Sequence, residues 1–157
     1  MNLEKITAQV VDLSREVGDF IREERKNFDH GRVEQKKGFN DLVSYVDKEA
    51  EEKFVAELKK IVPEAGFIAE EGTAEAADIY NWVIDPVDGT TNYLHNLPIY
   101  STSVALIKNK ELLCGVVYEI GADECFYAHK ESEAFLNGKT IQVSQAENLK
   151  ERLLATG

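Results

Sequence analysis

Cysteine is scarce in this sequence, with only Cys114 and Cys125 among 157 residues. Each lies in an apolar stretch, so both are expected to be buried thiols rather than a disulfide, and their separation does not match a zinc pair. No apolar run approaches the roughly 18 residues of a membrane span. Met1-Asn2-Leu3-Glu4-Lys5 opens a polar, amphipathic pattern without the character of a signal peptide. A soluble, cytoplasmic protein is therefore the expectation. Basic charge is also short: 18 Lys and Arg face 29 Asp and Glu, for a net charge of −11. Such a surface repels phosphodiester backbones and anionic membranes, which argues against nucleic acid and membrane as bulk partners. A small anionic ligand would need the field reversed locally, by a cation or by oriented backbone N–H groups. The three histidines, His30, His95 and His129, are isolated from one another and from cysteine, so no transition-metal cluster is evident.

Repeats, low-complexity runs and linkers are absent as well. The length suits one domain with a substantial core, and 43% hydrophobic with 30% charged residues is the balance of a soluble globular chain. Leu3, Ile6, Val10, Leu13, Val17 and Phe20–Ile21 recur at spacings of three and four, predicting a helix with one apolar face to about Lys26. Phe28 to Asn40 is a polar connector; Val33 to Lys36 reads as a short strand, and Lys36 as part of a solvated hairpin tip. Ala50, Phe54, Val55, Leu58 and Ile61–Val62 predict a second helix stopped by Pro63, with Asp47 as its N-cap or first-turn acid. Gly66 to Ala69 reads as a short buried strand delivering Glu70-Glu71-Gly72, followed by a surface loop from Thr73 to Ile79.

The second half changes period. Ser103–Lys108 and Leu112–Tyr118 flank a two-residue turn, Asn109-Lys110. Glu124–His129 and Glu133–Leu136 follow, then Asn137-Gly138, a strong hairpin signal, and Thr140–Val143. Helices first and an antiparallel meander later predict an α+β fold, two long helices packed on a mainly antiparallel sheet. Leu153 to Gly157 reads as the opening of another buried strand.

Trp82 to Asn92 is the stretch on which function turns. An apolar run, Trp82-Val83-Ile84, ends in Asp85; Pro86 is expected to force a turn, and Asp88 follows. Gly89, Thr90 and Thr91 come where a helix could start, and Thr91 to Leu97 reads as a short helix ended by Pro98. Two acids beside a helix start could hold a divalent cation and an anion together, although Asp-Pro and Asp-Gly are also ordinary turn formers. With Asp47 and Glu70, four acids lie at the ends of apolar segments. Mg²⁺ takes oxygen ligands at about 2.0–2.1 Å, and two such ions about 3.5–4 Å apart clamp one phosphate. The residues thus read as a Mg²⁺-dependent phosphate site.

These motifs resemble the inositol monophosphatase family, Mg²⁺-dependent and lithium-sensitive phosphatases. The resemblance is carried by Asp85-Pro86-Val87-Asp88-Gly89-Thr90-Thr91-Asn92, by Glu70-Glu71-Gly72 upstream, and by Asp41-Leu42-Val43-Ser44-Tyr45-Val46-Asp47. It implies that Glu70, Asp85 and the Val87 carbonyl hold a first Mg²⁺. Asp85 would bridge to a second ion that Asp88 also binds, and Glu70 would steer a third, weaker one, giving two or three ions per complete site. Thr90, polarised by Asp47, would orient a metal-activated water, and Glu70 counts with them in the catalytic set. The N–H groups of Gly89 and Thr90, with Asp88, would border the phosphate, and Lys36 would fall on a mobile loop over the site.

The implied fold is the N-terminal half of a layered αβαβα sandwich. The other half would supply a further Asp ligand and most contacts to the substrate's ring. The full-length form is expected to be a homodimer. The implied reaction is hydrolysis of a small phosphorylated substrate, inositol monophosphate foremost, and this chain alone is expected to bind the first Mg²⁺ weakly and hydrolyse little. Two alternatives stand beside it: a related sugar-bisphosphate or nucleotide-bisphosphate phosphatase, disfavoured by Gly89-Thr90-Thr91-Asn92, and a non-catalytic metal-binding half-domain.

Overall fold

A computed structural model of the chain describes residues 1–27, 33–35, 42–72, 75–145, 148 and 150. Its first element is helix α1 (Leu3–Lys26), opened by the Asn2 side chain, which accepts the Lys5 N–H at 2.9 Å. That bond satisfies one of the donors a helix start leaves without a partner. Ile6, Val10, Leu13, Val17 and Ile21 form the buried stripe that the three–four spacing predicts. Strands β1 (Val33–Gln35) and β2 (Leu42–Ser44) pair antiparallel, and helix α2 (Tyr45–Ile61) follows directly. Asp47 therefore lies in the first turn of α2 rather than at its cap. Lys36 and Leu153–Gly157 lie outside the described residues.

The remaining strands form one seven-stranded sheet in sequence order: β3 (Gly66–Ala69), β4 (Tyr80–Asp88), β5 (Ser101–Lys108), β6 (Glu111–Glu119), β7 (Glu124–His129), β8 (Ala134–Leu136) and β9 (Lys139–Ile141). Neighbours from β4 to β9 are antiparallel; β3 and β4 run parallel. The meander expected from the turn residues is thus present, and both tight turns use left-handed backbone at the expected places. Asn109 and Lys110 have φ of 48° and 70°, and Asn137 and Gly138 have 47° and 81°, the paired positive values that match a hairpin's twist.

Helices α1 and α2 cover one face of this sheet. Trp82, Ile84, Val104, Leu106, Val116, Tyr118 and Cys125 point toward them and join Phe54 and Leu58 in one buried core. Full burial of each large apolar side chain contributes roughly 1.5–3 kcal/mol. Gly18 lets α1 approach closely, since a Cβ there would press into the Tyr118 ring. Arg22 then fixes the helix to the sheet by donating to the Tyr118 hydroxyl (2.9 Å) and the Ile120 carbonyl (3.0 Å). Cys114 and Cys125 are buried free thiols, as expected, and burial pushes the Cys125 thiol up to about 11. No helix among the described residues is long and apolar enough to cross a membrane.

Two expectations change. Pro86 does not end the strand: β4 runs on to Asp88, with a bulge between Asp85 and Asp88. A bulge leaves a residue out of the ladder, so proline's missing N–H costs nothing there. The helix after Gly89 is also shorter than expected, α3 (Thr90–Leu94), ending at His95 before Pro98 is reached.

The segment after Gly72 is closely tied to the sheet edge. The Phe67 N–H donates to the Glu75 carbonyl at 2.9 Å, and the Asn81 side chain clamps the Ala77 N–H and carbonyl at 2.7 Å each. This segment covers β3, an edge strand that would otherwise show open donors. A methyl group on Gly66 would meet the Ala76 carbonyl carbon at 2.6 Å and the Glu75 oxygen at 2.7 Å. Gly66→Ala is therefore expected to lower stability by about 1–3 kcal/mol, the usual cost of forcing a well-packed region apart. The urea unfolding midpoint measures it, and an unchanged midpoint would show that the segment does not pack there.

Candidate active site

Parallel pairing sets the centre of the site. β3 and β4 are in register from Gly66↔Asn81 to Ala69↔Ile84. The next residue on each strand is an acid, so Glu70 and Asp85 emerge side by side at the same sheet edge. Their side chains share a hydrogen bond, while Asp85 Oδ1 is buried with no partner. The bulge then turns β4 so that Asp88, opposite Ser101, is exposed beside them. Gly89 takes φ of 94° and starts α3. A Cβ there would lie 3.1 Å from the Ile99 carbonyl, so both conformation and space call for glycine.

Helix α2 closes the site from the other side. Asp47 is 3% exposed and accepts the Thr90 hydroxyl at 3.0 Å. The same hydroxyl lies 3.0 Å from the Val87 carbonyl. A hydroxyl has one proton, and an ionised carboxylate is the stronger acceptor of the two. Donation to Asp47 leaves the Thr90 lone pairs and the Val87 carbonyl oxygen available as acceptors.

Electrostatics show what these acids lack. Asp85 is pushed up to about 7, first by burial and then by the negative charges of Glu70, Asp88 and Asp47. Neighbouring like charges disfavour ionisation unless a counter-charge sits among them. Among the described residues no three His, Cys, Asp or Glu side chains already stand in a metal-holding array. The fit to a cation rests instead on an unpartnered buried carboxylate oxygen, mutual repulsion, and oxygen-only donors of the kind hard divalent cations take. Glu70, Asp85, the Val87 carbonyl and Asp88 could supply such a set.

Asp47, Glu70, Asp85, Val87, Asp88, Gly89 and Thr90 are thus brought into one region, while Lys36 falls outside the described residues. His95 caps the C-terminus of α3, and His129 lies on β7. A concavity of about 520 Å³ on the sheet face opposite the helices is apolar and lined by Ser103, Ala105, Val117 and Phe126 but by none of these acids. The acids gather at the sheet edge, not in that hollow. One residue escaped the sequence reading: Glu51, fully buried, accepts the Glu71 N–H at 2.7 Å. Its signal was a charge at a core position, four residues after Asp47 and three before Phe54.

The chain belongs to the inositol monophosphatase family, which it matches from residue 2 to residue 157. It is 40% identical over 147 residues to the fructose-1,6-bisphosphatase/inositol-1-monophosphatase of Thermotoga maritima, covering 94% of this chain and 56% of that protein. An inositol monophosphatase of Dictyostelium discoideum is 37% identical over 163 residues, covering 99% of this chain and 58% of that protein. Among solved structures, the extragenic suppressor protein suhB of Bartonella henselae superposes with a TM-score of 0.84 at 31% identity, over 92% of this chain and 57% of that one. A Thermotoga maritima IMPase gives 0.80 at 39% identity, over 87% and 52%. The α+β fold is therefore that of the family, and the chain spans a little over half the length of these relatives.

The raised Asp85 sets a pH dependence. Unfolded, its carboxyl ionises near the ordinary 3.8; folded, it keeps its proton to about 7. Its contribution is complete below 3.8 and is lost as pH rises toward and through about 7, because the unfolded state releases the proton first. In EDTA, the melting temperature of Asp85→Asn is expected to rise relative to the parent as pH goes from 5 to 8. A gap that stays constant would place Asp85 outside a repulsive cluster.

Proposed function

We propose that this chain carries the catalytic acids of a Mg²⁺-dependent phosphatase that hydrolyses a small phosphate monoester, inositol monophosphate foremost. The observation that carries the proposal is the Thr90 hydroxyl, held by Asp47 at the rim of the Glu70–Asp85–Asp88 cluster. Glu70, Asp85 and the Val87 carbonyl would hold one Mg²⁺, and Asp85 and Asp88 a second. Bound there, Mg²⁺ would neutralise phosphate charge and lower the pKa of water.

The chain's own groups do the rest. Thr90, its proton directed to Asp47, offers lone pairs that accept a hydrogen bond from the attacking water and aim its oxygen at phosphorus. Buried Asp47 fixes that orientation and draws the proton of Thr90 away from the water. The Gly89 and Thr90 N–H groups open α3, where donors lack helical partners, and would take phosphate oxygens. As the water oxygen bonds to phosphorus the P–O bond to the alcohol breaks; the water's proton passes toward the Thr90–Asp47 pair, and the departing alkoxide takes a proton from solvent to leave as the alcohol. Phosphate monoesters are among the slowest esters to hydrolyse unaided, with enzymic accelerations up to about 10²¹, so charge neutralisation and positioning must act together.

Family membership supports phosphoester hydrolysis, and the relatives' names point to the substrate. One relative is named for both fructose 1,6-bisphosphate and inositol 1-phosphate chemistry, so both belong in the assay. Because the chain spans just over half the length of its relatives, it is proposed to be an N-terminal metal-binding half whose activity alone is low. Phosphate release is to be measured with Mg²⁺ and with EDTA, on this chain and on a polypeptide continuing past Gly157. The longer form is expected to be active only with Mg²⁺ and to favour inositol 1-phosphate in kcat/KM. Thr90→Ala and Asp47→Asn in it should each lower kcat by about 10²–10⁴, the range of a positioned proton-transfer group, with little change in KM. An inactive longer form would overturn the phosphatase reading.

A further inference from the structure

Helix α2 presents two carboxylates, one turn apart, to the two acid-bearing loops. Asp47 accepts the Thr90 hydroxyl that follows β4, and Glu51 accepts the Glu71 N–H that follows β3. Glu51 is 0% exposed, in line with Ala50, Phe54 and Leu58 on the core side of α2. Burying a carboxylate carries a large desolvation penalty, and an apolar residue of similar size is often neutral or stabilising at such a position. A core carboxylate aimed at a backbone N–H therefore suggests a service other than stability.

The geometry points to Glu51 as a positioning residue: its buried carboxylate, by accepting the Glu71 N–H, holds the turn after β3 so that Glu70 meets Asp85. The peptide that carries this N–H joins Glu70 to Glu71, so fixing it restricts the Glu70 backbone directly. Glu70 and Gly72 on either side are exposed, and Gly72 has φ of 76°. A Cβ on Gly72 would meet nothing within 4 Å, so the turn is open on that side. Because the same helix also holds Thr90, one rigid element spaces the β3 ligand loop from the β4 ligand loop. Glu51 touches neither cation nor substrate in this role. The inference rests on the reading of Glu70 and Asp85 as cation ligands.

Two substitutions separate the hydrogen bond from charge and from bulk. Glu51→Gln keeps the length and an acceptor oxygen but drops the charge. Glu51→Asp keeps the charge but withdraws the acceptor by one methylene. Mn²⁺ binding by electron paramagnetic resonance, and hydrogen exchange at the Glu71 amide, are to be read on the full 157-residue chain. Glu51→Asp is expected to weaken Mn²⁺ binding about tenfold, the lower range for losing a group that orients a ligand, and Glu51→Gln by no more than about threefold. In the parent the Glu71 amide should exchange slowly although its neighbours are exposed, and Glu51→Asp should speed it about tenfold, as loss of that bond requires.

A residue that only filled the core would lower the melting temperature in both variants without moving Mn²⁺ affinity in this order. Parent-like Mn²⁺ binding by Glu51→Asp, or equal weakening by Glu51→Gln, overturns the inference. If Glu51→Asp fails to fold, an unprotected Glu71 amide in the parent overturns it equally. Asp85→Asn distinguishes the two levels. If Asp85→Asn abolishes binding while Glu51→Asp binds like the parent, only the positioning role falls. If Asp85→Asn binds like the parent, the cation-ligand reading falls and the inference with it.

Discussion

Parallel strands in register carry matching residues to the same end of a sheet, and no turn is needed to make them neighbours. In this chain that end lies just past the Ala69↔Ile84 pair, where Glu70 follows β3 and Asp85 continues β4. Antiparallel pairing of the same two segments would send one acid to each end of the sheet. The other parts of the site depend on this junction. The bulge brings Asp88 round to it, Gly89 turns the chain into α3, and α2 lies across both loops with Asp47 and Glu51.

Such a junction is electrostatically unfavourable by itself. Burial, and then the negative charges of Glu70, Asp88 and Asp47, hold the Asp85 carboxyl well above its ordinary value. The core beneath the junction, with Trp82, Phe54, Leu58 and Leu106 fully buried, supplies the stability that offsets the repulsion. The site and the core thus oppose each other energetically while sharing the same two elements, α2 and β4. Residues that would be poor choices for stability, a buried Asp47 and a buried Glu51, stand where they can hold the loops. A site that must receive charge needs walls that do not collapse when its own charges repel.

The two faces of the sheet differ in the same physical terms. One is sealed by α1 and α2. The other shows Val117 and Phe126 at 40% and 36% exposure around an apolar hollow. Asp85 lies on the strand next to that hollow, paired with Ser103, so the acids sit where the sheet edge and its outward face meet. The chain covers 56% and 58% of the length of these relatives, which is why catalysis is proposed for a longer polypeptide and cation binding for this chain.

Much of this was legible in the residues because it is local. The three–four spacing of Ile6, Val10, Leu13, Val17 and Ile21 specifies a helix wherever that face is buried. Asn137-Gly138 specifies a hairpin because both residues tolerate positive φ. The acids of the site were also legible, as carboxylates placed at the ends of apolar segments. Pro86 was misread for the same reason: Asp-Pro favours a turn locally, but pairing with β5 carries β4 through it by way of a bulge. Glu51 was passed over because a Glu on a helix looks solvated until the helix's neighbours are known. The sequence by itself determined the elements and the acids, since periodicity and turn chemistry act over a few residues. Tertiary structure alone decided that β3 and β4 run parallel, and so which carboxylates face one another, because strand direction is set by packing between segments far apart in the chain.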